Sequence, residues 1–127
     1  MAPVFLDLDR VVRLHHELIE RYGGEHGLRD VGLLHSAVAT PQASFGGEFL
    51  HRDLFEMAAA YLYHIVQNHP FLDGNKRAGA ASALVFLSMN GVQIEGDEEG
   101  LVALTLSVAT GQAGKEEIAE FFRTRAT

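Results

Sequence analysis

Apolar residues recur along most of this chain at the three- and four-residue spacing that is typical of amphipathic helices. This spacing predicts about six helices, near residues 11–22, 28–38, 53–66, 75–89, 97–108 and 115–123. Only Val92-Gln93-Ile94 resembles a strand, and it is too short to build a sheet. The pattern therefore predicts an all-α fold, with a single domain covering residues 1–127.

Residues at the segment ends support these boundaries. Either Asp7 or Asp9 can cap the first helix, because a carboxylate accepts hydrogen bonds from the free N–H groups at a helix start. Asp30 stands near the start of the second helix, and Asp53 and Glu56 have the spacing of a capping box before the third. We therefore expect each of these helices to begin close to an aspartate.

The helix predicted from 75 to 89 is apolar on nearly every side and contains an alanine-rich run from Ala78 to Met89. A helix without a polar face belongs inside a bundle, where neighbours cover it on all sides. We therefore expect a compact bundle of about six helices around this central apolar helix.

Residues 40–51 contain a proline and two adjacent glycines, which favour a loop or an irregular hairpin. Phe45, Phe49 and Leu50 are the large apolar residues of this segment. They either join the core or line a functional site and dock a target protein, and the sequence leaves both alternatives open.

Composition limits the classes of protein to which the chain can belong. Its 127 residues are 47% hydrophobic and 21% charged, as in ordinary globular domains. A net charge of −7 argues against direct nucleic-acid binding. No uncharged apolar run reaches the length of about 18 residues that a membrane span needs. With no cysteine and no signal-peptide pattern, the chain is expected to be cytoplasmic.

The stretch from His69 to Arg77 brings a histidine, a carboxylate, a glycine, an amide and two cations together within nine residues. It stands at the predicted start of the helix from residue 75. Free N–H groups and the positive end of the helix dipole favour a phosphate at such a position. A titratable base beside an anion site is what phosphoryl or nucleotidyl transfer requires.

His69 is the candidate base, because imidazole titrates near neutrality and can take a proton from an attacking hydroxyl. Asp73 has two interpretations: it caps the following helix, or its carboxylate binds Mg²⁺, a hard cation that prefers oxygen ligands. These two roles can coexist.

Gly74, Asn75, Lys76 and Arg77 are the candidate phosphate-binding residues. Glycine permits the tight turn that lets successive N–H groups converge on an anion. Asn75 either fixes the loop or donates to phosphate, and Arg77 offers a planar fork that matches phosphate oxygens. The alternative is a loop with two solvated cations, which the neighbouring histidine and aspartate disfavour.

The motif from His69 to Arg77 resembles HPFx(D/E)GNGRxxR, the signature of the Fic family, and more closely that of its Doc (death-on-curing) toxin branch. In that branch a lysine replaces the second glycine, as Lys76 does in this chain. Further segments that resemble the branch are Arg21–Gly24, Leu28–Asp30 with Pro41-Gln42, Asp53–Glu56, Asn90–Gln93 and Ala109–Gly111. The resemblance thus covers nearly the whole chain.

The resemblance implies a compact helical bundle that uses ATP and Mg²⁺. By position, His69 matches the base, Asp73 the metal carboxylate, and Asn75, Lys76 and Arg77 the phosphate-binding residues. Doc toxins belong to type II toxin–antitoxin systems, phosphorylate a threonine of elongation factor Tu and arrest translation. Their partner is a Phd-like antitoxin, whose disordered C-terminal segment folds onto the toxin.

Departures from the Fic pattern bear on which group is transferred. Lys76 adds bulk and charge where glycine admits the α- and β-phosphates, so a nucleotide is expected to enter with its γ-phosphate nearest His69. Ala80 replaces the second arginine of the signature, which makes AMP transfer the runner-up to phosphate transfer. Ala81 and Gln67 depart from the Doc pattern, which leaves a catalytically silent antitoxin-binding module as a further alternative.

Overall fold

The computed structural model describes residues 2–127 and contains six α-helices. These are α1 (Leu8–Tyr22), α2 (Val31–Ala39), α3 (Leu54–Asn68), α4 (Asn75–Met89), α5 (Glu98–Ala109) and α6 (Lys115–Arg125). A 3-10 turn at Thr40–Gln42 leads into an antiparallel hairpin, β1 (Ser44–Phe45) and β2 (Glu48–Phe49). The predicted all-α fold is confirmed. The single-domain assignment stays a prediction, and its first residue, Met1, lies outside the described residues.

The predicted caps are in place at the helix starts. Asp7, rather than Asp9, caps α1 by accepting from the N–H of Arg10 at 2.8 Å. Asp30 and Asp53 cap α2 and α3 in the same way. The second helix begins at residue 31 instead of 28, because the backbone just before Asp30 pairs with the motif loop.

A central apolar helix is also confirmed, but it is α3 and not the helix that follows the motif. Helices α2, α4, α5 and α6 and the 3-10 turn all pack against α3. Its residues from Met57 to Leu62 are all buried. In contrast, α4 leaves Ala80, Ala81, Leu84 and Val85 only partly covered. The apolar sequence of α4 therefore predicted correctly that this helix is well packed, but it did not show that α3 is the innermost helix.

Helices α3 and α4 approach each other closely at Gly79. A Cβ atom at this position would lie 2.9 Å from Cγ2 of Val66 and 3.1 Å from the backbone oxygen of Leu62. Both neighbours are stiff, since one is a β-branched side chain and the other is helix backbone. Because glycine has no Cβ atom, α3 and α4 can approach each other more closely at this position than any other residue would allow.

The hairpin does not join the core as a unit. Phe45 is 84% exposed, Leu50 is 60% exposed and Phe49 is 41% exposed, so the core interpretation is wrong for all three residues. Phe49 packs edge-on against Phe5, which in turn stacks on Phe86 of α4. The interpretation that this segment docks a target protein stays a prediction. No helix within residues 2–127 is long and apolar enough to cross a membrane.

Replacing Gly79 by alanine is expected to lower the free energy of unfolding by about 1–3 kcal/mol, because the added methyl group overpacks the α3–α4 contact. Urea unfolding followed by far-UV circular dichroism measures this change. Ser88→Ala, at an exposed position of the same helix, is the matched control. If the two variants were equally stable, the α3–α4 contact would accommodate the added methyl group without loss of stability.

Candidate active site

The motif forms the loop between α3 and α4, and its first and last residues lie at the two helix ends. His69 follows α3 directly and has left-handed backbone angles, with φ 51° and ψ 53°. Its imidazole is exposed and has no hydrogen-bond partner among the described residues. Gly74, with φ 77°, precedes α4, which begins at Asn75 as predicted. The candidate base therefore lies at one end of a short loop, and a helix start lies at the other.

The start of α4 has no side-chain cap. Its first intrahelical hydrogen bond runs from the N–H of Ala78 to the carbonyl of Gly74 at 2.9 Å. Consequently the N–H groups of Asn75, Lys76 and Arg77 have no acceptor within residues 2–127. Three free N–H groups at the positive end of a helix dipole are a candidate anion-binding site.

Asn75 fixes the loop through its side chain. Its Oδ1 accepts from the N–H of Phe71 at 2.9 Å, and its Nδ2 donates to the carbonyl of the same residue at 3.0 Å. The side chain of Asn75 is buried, and both of its polar atoms are used in this way. Of the two roles predicted for this amide, the geometry favours the first. The backbone N–H of Asn75 is still free for an anion.

Asp73 does not cap α4, because Gly74 occupies the capping position. Instead its carboxylate accepts from the N–H of Glu25 at 3.0 Å and from the N–H of Gly74 at 2.8 Å. These two bonds, the one from Glu25 foremost, lower the pKa of Asp73 below its ordinary value. The carboxylate is therefore exposed and ionised at neutral pH, as a ligand for a hard cation must be.

Lys76 and Arg77 project from the first turn of α4, and both are exposed. Neither forms an ion pair with a carboxylate of the described chain. The guanidinium of Arg77 lies 4.5 Å from the centre of the Tyr22 ring.

Comparison with known proteins assigns the chain to a family. The model of the Fic/DOC family matches residues 5–87, which include α1 to α3, the motif and most of α4. The chain belongs to the Fic/DOC family. It is similar to "Protein kinase doc" of Escherichia phage P1, with 38% identity over 115 residues that cover 91% of this chain and 90% of that protein. It is also 47% identical over 76 residues to "Toxin Doc" of Mycolicibacterium smegmatis, which is 60% of this chain and 58% of that protein.

A buried histidine of this Fic/DOC chain supports the motif loop from α1. The ring of His15 stacks on Phe71, with centroids 3.7 Å apart and planes inclined by 4°. Burial lowers the pKa of His15, so the neutral ring donates from Nε2 to the carbonyl of Asp73 at 2.8 Å. Sequence reasoning assigned this histidine no specific role. Its four-residue spacing from Val11 and from Ile19, which are both buried, could have indicated that His15 lies on the buried face of α1.

A second support comes from the segment just before α2. The N–H groups of Arg29 and Asp30 both donate to the carbonyl of Pro70, at 2.7 and 3.0 Å. The N–H of Leu72 donates to the carbonyl of Gly27 at 3.0 Å. These bonds hold the loop in an extended pairing, which sequence reasoning missed because it assigned residues 28–30 to a helix.

Replacing Asn75 by alanine is expected to lower the free energy of unfolding by about 1–3 kcal/mol, because the buried N–H of Phe71 then loses its acceptor. Urea denaturation measures the loss. Gln112→Ala is the control, since this exposed amide has no side-chain hydrogen bond within the described residues. If both substitutions cost the same, the Asn75 amide does not hold the loop.

Stability should depend on pH through Asp73. A carboxyl group whose pKa is lower in the folded state than in the unfolded state stabilises the fold. This contribution is fully present when the pH is above the pKa of the unfolded state, which is close to the ordinary 3.8. It is lost as the pH falls through the lower pKa of the folded state. We expect the stability difference between wild type and Asp73→Asn to be constant near neutrality and to shrink below about pH 4. Thermal unfolding from pH 7 to 2.5 tests this, with Glu17→Gln as control, because this carboxylate is exposed and forms no ion pair within residues 2–127. A difference that stays constant down to the lowest pH would contradict the assignment.

Proposed function

We propose that this chain is a toxin of a type II toxin–antitoxin system and acts as an ATP-dependent kinase on a protein hydroxyl. The observation that carries the proposal is the placement of an exposed histidine at one end of the short loop and of three free N–H groups at its other end, beside two cations that have no carboxylate partner within residues 2–127. The names of the two relatives, a protein kinase and a toxin, support the same conclusion. Together they favour phosphate transfer over a binding role alone.

In the proposed reaction, His69 takes the proton of the target hydroxyl. The hydroxyl oxygen then bonds to the γ-phosphorus of ATP, while the bond from that phosphorus to the β–γ bridging oxygen breaks and ADP leaves. The free N–H groups of α4, together with Lys76 and Arg77, stabilise the charge on the phosphate oxygens. Positioning and charge neutralisation supply most of the acceleration in reactions of this type.

Asp73 is the residue that would hold Mg²⁺. The described residues contain no group of three potential metal ligands, so a cation at this site needs most of its ligands from phosphate and water. Such a donor set suits Mg²⁺, which is usually bound by one or two carboxylates together with nucleotide phosphates. When bound, the cation neutralises charge on the β- and γ-phosphates.

Two positions on α4 favour transfer of phosphate rather than AMP. Lys76 lies in the first turn, where its bulk disfavours a deeply seated α-phosphate. Ala80 follows one turn later and offers no guanidinium for a further phosphate. On this argument the γ-phosphate lies nearest His69, and an AMP-transferase is the runner-up.

The target and the partner follow from the family resemblance. We propose a threonine of elongation factor Tu as the acceptor, which would arrest translation in the cytoplasm. We further propose inhibition by a Phd-like antitoxin whose disordered C-terminal segment folds onto the toxin. The exposed Phe45 of the hairpin is a candidate contact for the target.

Isotope labelling separates the possible reactions. Incubation of the chain and elongation factor Tu with ATP and Mg²⁺ should transfer label to the factor from the γ position and not from the α position. His69→Ala should lower the rate by about 10²–10⁴-fold, because a general base contributes acceleration of this size. His35→Ala, an exposed histidine on α2, should leave the rate unchanged.

Other results would point to a different function. Label that appears only from the α position would make the chain an AMP-transferase. If His69→Ala arrests growth as strongly as wild type in cells without an antitoxin, catalysis is not the basis of toxicity and the chain acts by binding.

A further inference from the structure

We infer that Arg29 is a positioning residue that holds the backbone of His69 in the orientation needed for proton transfer. This inference rests on the proposed function. It concerns a residue outside the motif, on the segment that leads into α2. Its basis is a set of hydrogen bonds in which the side chain and the backbone of Arg29 both bind the chain around His69.

The side chain of Arg29 binds two successive carbonyl groups at the end of α3. Its Nε donates to the oxygen of His69 at 2.6 Å, and its Nη2 donates to the oxygen of Asn68 at 2.8 Å. The last carbonyls of a helix have no intrahelical partner, and the helix dipole favours a cation beside them. One planar guanidinium therefore satisfies both groups at once.

The backbone of Arg29 completes the clamp on the next residue of the loop. Its N–H donates to the oxygen of Pro70 at 2.7 Å. Three consecutive carbonyls, those of Asn68, His69 and Pro70, thus bind this single residue. Rotation of the peptide groups on either side of the histidine would break at least one of these bonds.

The conformation of His69 is one that such a clamp would stabilise. Among residues 2–127 only His69 and Asp97 have a positive φ without being glycine. Left-handed angles are unfavourable for residues with a Cβ atom and persist where surrounding contacts impose them. The only other backbone bond at His69 is a long one, from its N–H to the oxygen of Ile65 at 3.2 Å. Arg29 therefore supplies most of the restraint.

Arg29 has no carboxylate partner among the described residues. This leaves direct binding of nucleotide phosphate as the competing role for its charge. The two roles differ in kinetics. Loss of a positioning residue lowers kcat, whereas loss of a phosphate ligand raises KM for ATP.

The test compares wild type with Arg29→Ala, Arg29→Lys and the control Arg13→Ala. Arg13 is exposed on α1 and pairs only with Asp9. For Arg29→Ala we expect kcat to fall roughly 10- to 100-fold with KM for ATP within about twofold, since misplacing a catalytic group has effects of this size. Arg29→Lys keeps the positive charge but lacks the planar guanidinium that binds two carbonyls, so its kcat should lie between those of Arg29→Ala and wild type. Arg13→Ala should match wild type.

Amide hydrogen exchange tests the clamp without relying on catalysis. In Arg29→Ala, the N–H of His69 should exchange about tenfold faster, while the N–H of Tyr61, in the middle of α3, should not change. This result would support the clamp even if wild type transferred no phosphate, so failure of the proposed function and failure of the clamp are distinguishable.

Three results would overturn the inference. The first is unchanged exchange at His69. The second is an equal increase of the exchange rate at His69 and at Tyr61 in both Arg29 variants, because Arg29 would then stabilise the whole of α3. The third is a raised KM for ATP with kcat retained, which would make Arg29 a phosphate ligand.

Discussion

The close packing of α3 against α4 is the constraint on which the candidate site depends. Gly79 lets the two helices approach until a methyl group would no longer fit between them. This contact sets the position of the end of α3 relative to the start of α4. His69 lies at the first of these ends and the free N–H groups lie at the second. The packing of α3 against α4 therefore fixes where the candidate base and the candidate anion site lie relative to each other, and the short loop between them completes the connection.

The loop is held from three directions. From α4, the amide of Asn75 binds both backbone groups of Phe71. From α1, His15 stacks on the same residue and donates to the carbonyl of Asp73. From the segment before α2, Arg29 binds the carbonyls around His69. The site residues that face solvent therefore rest on buried or bonded neighbours, as preorganised sites require.

Charge is distributed unevenly in this chain. It carries a net charge of −7, yet Lys76 and Arg77 at the start of α4 have no carboxylate partner in the described structure. Asp73 lies between them and His69 in the sequence, and its carboxylate accepts hydrogen bonds from two backbone N–H groups. A helix start without a cap, flanked by unpaired cations, is a local positive site on an acidic protein. Such a site favours an anion locally even though the chain as a whole is acidic.

The sequence alone determined the helices, most of their ends and the family, because helical spacing, aspartate caps and the motif are local signals. It predicted α4 from 75 to 89 as the structure has it. Only the tertiary structure decided that α3 is the central helix, that Asn75 binds Phe71 and that Asp73 caps no helix. The same holds for His15 and Arg29, which lie far from the motif along the chain. Contacts of this kind depend on how distant segments pack, and a sequence pattern specifies which face of a helix is buried but not which neighbour covers it.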